Sequence, residues 1–289
     1  MKATFVLVHG AWQGSWCFAP LARLLQAAGH QTILVDLPGH GLNAKIPMAY
    51  CQREDRVNML KTEKSPVAVV TLAQYVEVVG DALSQARANG SNKVLLVGHS
   101  MGGVPVTATA QAYPDRVDAL VYLAAFLPPS GMAAGACSAS PANEGALISK
   151  VTLGNPAETG ALRIDHQSED IEYAAKVKKA FAADLDETTW SAVRHFMTPD
   201  TPIQPFGIPL AHTPEGWGSK RRLYVRCTED FAVRPALQDF FIEEADALTP
   251  GNPTTVVSLP SGHMPFLSCT AEVAEVLAQF AAGEVCGSE

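Results

Sequence analysis

The chain has 289 residues, of which 47% are hydrophobic, and a formal net charge of −8. A chain of this length and composition can bury a sizeable core, so an intrinsically disordered protein is excluded. The negative charge argues against nucleic acid or an anionic membrane as the main partner.

The N-terminal residues lead directly into an apolar strand pattern, without the basic and apolar stretches of a signal peptide. No segment approaches the roughly 18 apolar residues that a membrane helix requires. The histidines, carboxylates and cysteines lack the spacing of metal ligands, so we expect no metal or other cofactor. Six scattered cysteines are expected to be free thiols in a cytoplasmic protein: Cys17, Cys51, Cys137, Cys227, Cys269 and Cys286.

Short apolar runs alternate with helical patterns along the chain. Such runs are typical of strands buried on both faces of a parallel sheet, and they cover Thr4–Val8, Gln31–Val35 and residues 93–97, 117–124, 222–227 and 254–259. Helices are predicted at residues 16–28, after Thr71, after Ser100, and at residues 235–247 and 271–282. Ser15 and Thr71 are the predicted N-cap residues, and Gly29 ends the first helix. The alternation predicts an α/β fold with a doubly wound, mostly parallel sheet of about six strands.

Two segments interrupt this alternation. Residues 42–70 are polar and charged, and they form a long connection that either reaches the substrate pocket or covers the sheet edge. Residues 128–219 are too long for a crossover and have helical patterns near 169–185 and 187–197. We therefore expect a core of residues 1–127 and 220–289, with residues 128–219 inserted as a mainly helical cap. Ligands of open α/β sheets bind at the carboxyl edge that such a cap would cover.

Residues 98–102 read Gly-His-Ser-Met-Gly, a G-x-S-x-G pattern that follows a predicted buried strand and precedes a helix. A tight turn in this context exposes a serine hydroxyl and directs the positive end of the helix at developing negative charge. Ser100 is therefore the predicted nucleophile, the alternative being an ordinary serine at a helix N-terminus.

The loop after the first strand reads His9-Gly10-Ala11-Trp12. In this position a loop can supply one N–H of an oxyanion hole, and the residue after the nucleophile supplies the other. Backbone N–H groups of Ala11 and Met101 are thus the predicted oxyanion hole. His9 precedes the nucleophile in the chain, whereas the usual order is serine, acid, histidine, so we interpret His9 as structural.

Carboxylates follow the strand at residues 222–227, and a histidine follows the last predicted strand. Asp230 is the predicted acid, with the adjacent Glu229 as the alternative. His263 is the predicted base, because it lies after both serine and acid and at a late strand end. Together with Ser100 these residues would form a triad for nucleophilic catalysis.

Several runs of the sequence resemble one α/β-hydrolase branch, namely FVLVHGAW, LLQAAGH, VGHSMGG, LAAFLP and VRCTED. The branch contains the plant methyl-ester esterases that cleave methyl salicylate and methyl jasmonate, the hydroxynitrile lyases and related bacterial esterases. The similarity covers roughly two-thirds of the chain and fades in residues 42–70 and 128–219. It implies the α/β-hydrolase fold and a serine hydrolase of the carboxylesterase type.

Three positions separate esterase from lyase within this resemblance. The lyases have a threonine in the first-strand loop, a lysine after the histidine and a different residue before the serine. Here the matching positions hold Gly10, Met264 and His99, which agree with the esterases.

We therefore expect a hydrolase of small, largely apolar carboxylic esters that works through an acyl-enzyme. The alternatives are the same triad acting on a lactone, an amide or a carbon–carbon bond, and a ligand-binding protein without activity. The partner would be a small-molecule ester, with no nucleic acid or membrane, and the oligomeric state stays open, a homodimer included. The side chains expected to line the pocket, or else to pack in the interior, are Trp12, Phe126, Trp190, Phe196 and Met264.

Overall fold

The computed structural model describes residues 2–52 and 54–284. Its main sheet has six parallel strands in the order β2-β1-β3-β4-β7-β8, and a separate antiparallel pair joins β5 and β6. The strands are β1 Thr4–Val8, β2 Gln31–Val35, β3 Val94–His99, β4 Ala119–Leu123, β5 Ala161–Arg163, β6 Asp200–Pro202, β7 Arg221–Cys227 and β8 Thr255–Leu259. All six predicted strands are therefore confirmed, while the β5–β6 pair within residues 128–219 had no counterpart among the predictions.

The predicted helices are present with small shifts at their ends, and shorter helices occupy the two interrupting segments. The α-helices are α1 Ala19–Ala27, α2 Arg56–Thr62, α3 Leu72–Ala88, α4 Gly103–Ala112, α5 Ala134–Ser138, α6 Ile148–Val151, α7 Pro156–Thr159, α8 Ile171–Ala182, α9 Glu187–Phe196, α10 Gln204–Gly207, α11 Pro235–Leu248, α12 Pro265–Ser268 and α13 Thr270–Ala282. Single 3₁₀ turns lie at Ser15–Phe18, Gly41–Asn43, Met48–Cys51, Ser100–Gly102, Pro114–Arg116, Pro141–Asn143 and Trp217–Ser219.

The prediction that Ser15 is the N-cap of the first helix is wrong. Its backbone N–H donates to the Asp36 carboxylate at 2.6 Å, and a 3₁₀ turn precedes α1, which begins at Ala19. The predicted stop at Gly29 is consistent with the structure, since its φ of +87° is the left-handed conformation that ends many helices.

Side chains alternate in direction along each strand, so the core is divided into two layers, one on each face of the sheet. In β1, Phe5 and Leu7 pack on the face covered by α1 and α13, whereas Val6 and Val8 pack on the face covered by α3, α4 and α11. Successive side chains of a strand point to opposite faces, so both faces of this sheet are apolar and covered. The carboxyl edge of the sheet is thereby left as the place where loops can form a site.

Residues 42–70 attach to the inserted segment through a buried arginine. Arg163 in β5 is fully buried and forms a bidentate ion pair with Asp200 in β6, with N–O distances of 2.6 and 2.7 Å. Its remaining terminal nitrogen donates to the carbonyls of Leu60 and Glu63 at 2.5 and 2.8 Å. A buried guanidinium whose donors are satisfied in this way fixes the connection against the β5–β6 pair.

Five histidines are buried, and the hydrogen-bond partners described for their rings do not include a carboxylate. Burial lowers the pKa of His9 and His212 to about 4 and that of His40 and His166 to about 3, and it holds the pKa of His99 well below its usual value. These imidazoles are therefore neutral at pH 7 in the folded state.

The described cysteines Cys17, Cys51, Cys137, Cys227 and Cys269 are free thiols, as predicted, and Cys286 lies outside the described residues. Within the same ranges, no helix has both the length and the apolar character needed to cross a membrane.

Thr71 is the confirmed N-cap of α3 and forms a capping box with Gln74. The Thr71 hydroxyl accepts the Gln74 N–H at 3.4 Å, and the Gln74 side chain accepts the Thr71 N–H at 2.9 Å. We expect Thr71→Ala to lower the free energy of unfolding by about 1 kcal/mol, because it removes this acceptor. Urea unfolding of the Ala variant beside Thr71→Ser, which keeps the hydroxyl, measures the effect; equal stability of all three proteins would contradict it.

Because the pKa values of the buried histidines are low, we expect the folded state to lose stability in mild acid. Unfolded imidazoles bind protons near pH 6.5, whereas His9, His40, His166 and His212 bind theirs near pH 3–4 when folded. Between pH 6.5 and 4 the unfolded state thus binds more protons, and each histidine removes about 1.4 kcal/mol of stability per pH unit. Denaturant unfolding at pH 7, 6 and 5 measures this slope.

The slope should decrease in His40→Gln and stay unchanged in His195→Gln, since His195 is exposed. A free energy of unfolding that is constant from pH 7 to 5 in the parent protein would contradict the prediction, because the folded state would then take up as many protons as the unfolded state over this range.

Candidate active site

Ser100 lies at the turn between β3 and α4, in a backbone conformation that is rare for a residue with a side chain. Its φ is +52°, and the 3₁₀ turn Ser100–Gly102 leads directly into α4. The Phe126 N–H donates to the Ser100 carbonyl at 2.9 Å and ties the turn to the end of β4. The strand-turn-helix context predicted for Ser100 is therefore present.

Glycines at this turn allow backbone to approach backbone. A Cβ on Gly102 would lie 2.5 Å from the Val8 carbonyl oxygen, and a Cβ on Gly98 would lie 2.8 Å from the Gly102 carbonyl oxygen. Side chains cannot be accommodated at such distances. The glycines thus bring the loop after β1 into contact with the Ser100 turn.

The three predicted triad residues meet at the carboxyl edge of the sheet. His263 Nε2 lies 2.9 Å from Ser100 Oγ, and His263 Nδ1 lies 2.8 Å from Asp230 Oδ2. The other Asp230 oxygen accepts the N–H groups of Ala232 at 2.7 Å and Val233 at 3.0 Å. Because a carboxylate only accepts, Nδ1 carries the proton and the Nε2 lone pair faces the serine hydroxyl.

The alternative acid, Glu229, is exposed, whereas Asp230 is fully buried. The backbone of Glu229 has a separate function, because its N–H donates to the Ser261 carbonyl at 3.1 Å and holds the loop that carries His263. The geometry therefore pairs Asp230 rather than Glu229 with His263.

His99 supports the same loop from the strand before the nucleophile. Its Nε2 donates to the His263 carbonyl at 2.8 Å, and its ring lies 4.6 Å from the His263 ring, centroid to centroid. This position agrees with the expectation that His99 packs or hydrogen-bonds beside the strand.

His9 fixes the peptide that precedes Ala11. Its Nδ1 donates to the Gly10 carbonyl at 2.7 Å, while its Nε2 accepts the Leu37 N–H at 3.2 Å. The C=O and N–H of a trans peptide point in opposite directions, so the bond to the Gly10 oxygen also sets the direction of the Ala11 N–H. His9 is structural, as interpreted from the sequence.

The inserted segment holds the rest of this loop through Trp12. The Trp12 N–H donates to Thr201 Oγ1 at 2.8 Å, and its indole N–H donates to the Leu162 carbonyl at 3.0 Å. The Trp12 φ of +59° is again positive. Bonds to both strands of the β5–β6 segment thus keep the loop in this conformation.

The five predicted pocket residues lie in different surroundings. Trp12, Trp190 and Met264 are buried in the core layer that includes α1 and α13. Phe126 is buried in the other layer, where its ring contacts Phe206 with centroids 4.9 Å apart. Phe196 is 61% exposed and packs against Trp16 at 5.4 Å.

The candidate site is largely buried. Ser100 is 7% exposed and His263 is 2% exposed. A groove of about 770 Å³ lies between α8 and α9, lined by Lys178, Trp190 and neighbouring residues, and the triad is not among its lining residues. Among residues 2–52 and 54–284, no cluster of three or more His, Cys, Asp or Glu side chains is placed to hold a metal ion.

Sequence reasoning missed the contacts that the inserted segment makes with this site. The Phe181 ring lies 5.2 Å from Trp12 and 6.3 Å from His263, and Asp184 accepts the Gly262 N–H at 2.7 Å. The helical pattern near residues 169–185 contains both residues, but nothing in that pattern indicates which loop they face.

Comparisons with known proteins agree with this architecture. Norfluorocurarine synthase 2 of a Strychnos species is 30% identical over 95% of this chain and 94% of its own. Methylesterase 7 of Arabidopsis thaliana is 26% identical over 96% and 95%, respectively. A crystal structure of a pyrethroid hydrolase superposes with a TM-score of 0.75 at 25% identity, covering 98% of both chains.

These similarities confirm the predicted fold class, the resemblance to the plant methylesterase branch and the prediction of a carboxylesterase-type enzyme. The model of the alpha/beta hydrolase family matches residues 5–276, nearly the whole chain. The chain therefore belongs to the alpha/beta hydrolase family.

Proposed function

We propose that this protein is a serine hydrolase of small, largely apolar carboxylic esters, with Ser100, His263 and Asp230 as its catalytic triad. The observation that carries the proposal is the continuous chain from Ser100 Oγ through the His263 ring to the Asp230 carboxylate, with contacts of 2.9 and 2.8 Å. This is the geometry that general-base activation of a serine requires.

The reaction follows from this arrangement. His263 removes the hydroxyl proton as Ser100 Oγ attacks the ester carbonyl, and Asp230 stabilises the imidazolium that forms. His263 then protonates the departing alcohol, and water cleaves the acyl-enzyme with His263 again acting as base.

Ala11 and Met101 are proposed to stabilise the oxyanion by their N–H groups. The Gly10–Ala11 peptide is oriented by His9, and a Cβ on Gly10 would lie 2.8 Å from Ser100 Cβ, so this peptide is adjacent to the nucleophile. Met101 follows the nucleophile at the start of the turn into α4. Each donor would contribute about 3 kcal/mol to stabilising the transition state.

The surroundings of the triad favour an apolar ester. The Phe181 ring lies 6.3 Å from the His263 ring and 5.2 Å from the Trp12 ring, centroid to centroid, and the buried Met264 directly follows His263. Such a lining would bind an uncharged acyl or alcohol group by burying its apolar surface. The relatives named as a methylesterase and a pyrethroid hydrolase support hydrolysis as the reaction class.

Several further parts belong to the proposal. Residues 128–219 would act as the cap of a core made of residues 1–127 and 220–289, and the partner would be a small-molecule ester. A cytoplasmic location is supported by the unpaired thiols of the described cysteines, since structural disulfides are rare in that compartment.

The nucleophile is tested with Ser100→Ala. We expect kcat on p-nitrophenyl acetate, butyrate and octanoate to fall on the order of 10⁴-fold or more, because the covalent step is lost. Chain-length preference of the parent enzyme would give the size of the acyl site. Undiminished turnover in the variant would remove Ser100 as nucleophile. Failure of the parent enzyme to cleave all three esters, with Ser100 labelled by a fluorophosphonate, would contradict the substrate class.

The assignment of Asp230 as the acid of the triad is tested by substituting Asp230 and the adjacent Glu229 in separate variants. Asp230→Asn should lower kcat on the order of 10⁴-fold, because an amide at this position favours the wrong His263 tautomer. Glu229→Gln should retain most of the activity, since this side chain is exposed. Steady-state kinetics of both variants decide the assignment, and the reverse pattern would move the acid to Glu229.

A further inference from the structure

The α8–α9 hairpin, defined as Ile171–Ala182, Glu187–Phe196 and the turn between them, contacts three loops of the candidate site. Lys179 Nζ lies 4.7 Å from the centroid of the Phe231 ring, next to Asp230. The Phe181 ring contacts Trp12 in the oxyanion loop with centroids 5.2 Å apart. Asp184 contacts the loop that carries His263. One short stretch thus reaches the loops of the acid, the oxyanion hole and the base.

The contact to the base loop is a direct hydrogen bond. Asp184 Oδ2 accepts the Gly262 N–H at 2.7 Å, and a Cβ on Gly262 would lie 2.6 Å from Asp184 Oδ1. Hydrogen bonds to a carboxylate are among the stronger ones in proteins. Gly262 directly precedes His263, so this bond fixes the peptide that leads into the base.

Other hydrogen bonds hold the same loop from the core of the fold. The Glu229 N–H donates to the Ser261 carbonyl at 3.1 Å, and His99 Nε2 donates to the His263 carbonyl at 2.8 Å. The Ser261 hydroxyl donates to Cys227 Sγ at 3.3 Å, and His263 Nδ1 donates to Asp230. Among these bonds, the one to Asp184 is the one that would break if the hairpin moved away from the sheet.

The hairpin also covers the candidate site. Ser100 is 7% exposed and His263 is 2% exposed, and Phe181 lies beside both His263 and Trp12. Displacing α8 would separate Asp184 from Gly262.

We propose that Asp184 is a positioning residue that ties the α8–α9 hairpin to the loop carrying His263 and so holds the imidazole in line with Ser100. The inference rests on the proposed function in that His263 is the base. Without the Asp184 acceptor, the base loop keeps its bonds to the core but loses the one that fixes the Gly262 peptide; with Asp184 in place, that bond holds the imidazole at Ser100 Oγ.

The test compares Asp184→Ala with Asp184→Asn in the full-length enzyme. Loss of the acceptor in the Ala variant should lower kcat about 10-fold and change KM less than about 2-fold, because a misplaced base slows chemistry more than binding. The Asn side chain retains an oxygen that can accept the Gly262 N–H, so it should restore kcat to within about 3-fold of the parent.

Hydrogen–deuterium exchange of a peptide covering residues 259–266 gives a readout that does not depend on activity. Exchange there should be faster in Asp184→Ala and close to the parent in Asp184→Asn. Glu172→Gln, on the first turn of α8, is the control for removing a carboxylate from the same hairpin and should change neither quantity.

Parent-like kcat and parent-like exchange in Asp184→Ala would overturn the proposal. So would equal loss of activity in the Ala and Asn variants together with equal loss of thermal stability, which would indicate a structural role. If the parent enzyme cleaves no ester, the proposed function fails, while the exchange comparison still decides whether Asp184 holds the base loop.

Discussion

The close approach of the β1 loop to the Ser100 turn is the constraint on which the candidate site depends. A Cβ at Gly102 would lie 2.5 Å from the Val8 oxygen, and one at Gly10 would lie 2.8 Å from Ser100 Cβ. Because the backbone of the β1 loop contacts the backbone of the Ser100 turn at this edge, the Gly10–Ala11 peptide lies beside Ser100. The Ala11 side chain contributes nothing to this placement. At this contact Ser100 has a φ of +52°, and its hydroxyl lies 2.9 Å from His263 Nε2.

Backbone strain is concentrated at this edge of the sheet. Trp12, Ser100 and Ala124 have positive φ values, and they follow the carboxyl ends of β1, β3 and β4. Each such conformation costs on the order of 1–3 kcal/mol and persists only where surrounding contacts determine it. The parallel strands, covered on both faces, supply those contacts, and the bond from Phe126 to the Ser100 carbonyl adds another.

The sheet and the triad could be predicted from sequence because each depends on local patterns that meet at one edge. Parallel strands place their carboxyl ends together, so Ser100, Asp230 and His263 converge, and each is recognised by its position after a strand together with the G-x-S-x-G pattern or the serine, acid, histidine order. The expectation for Ser15 is wrong because a 3₁₀ turn at Ser15–Phe18 precedes α1, and the bond from the Ser15 N–H to the distant Asp36 leaves no local signal. Pairings such as Trp12 with Thr201, 189 residues apart, leave no local signal in either segment.

Three histidines lie close together behind the nucleophile, and their partners explain why one of them is suited to act as the base. His9 and His99 donate to backbone carbonyls, and burial lowers the pKa of each, so neither accepts a proton readily. His263 instead faces the Asp230 carboxylate, the partner on which its proposed role as base depends. The His9 and His99 rings are neutral supports for the loop after β1 and for the loop that carries His263.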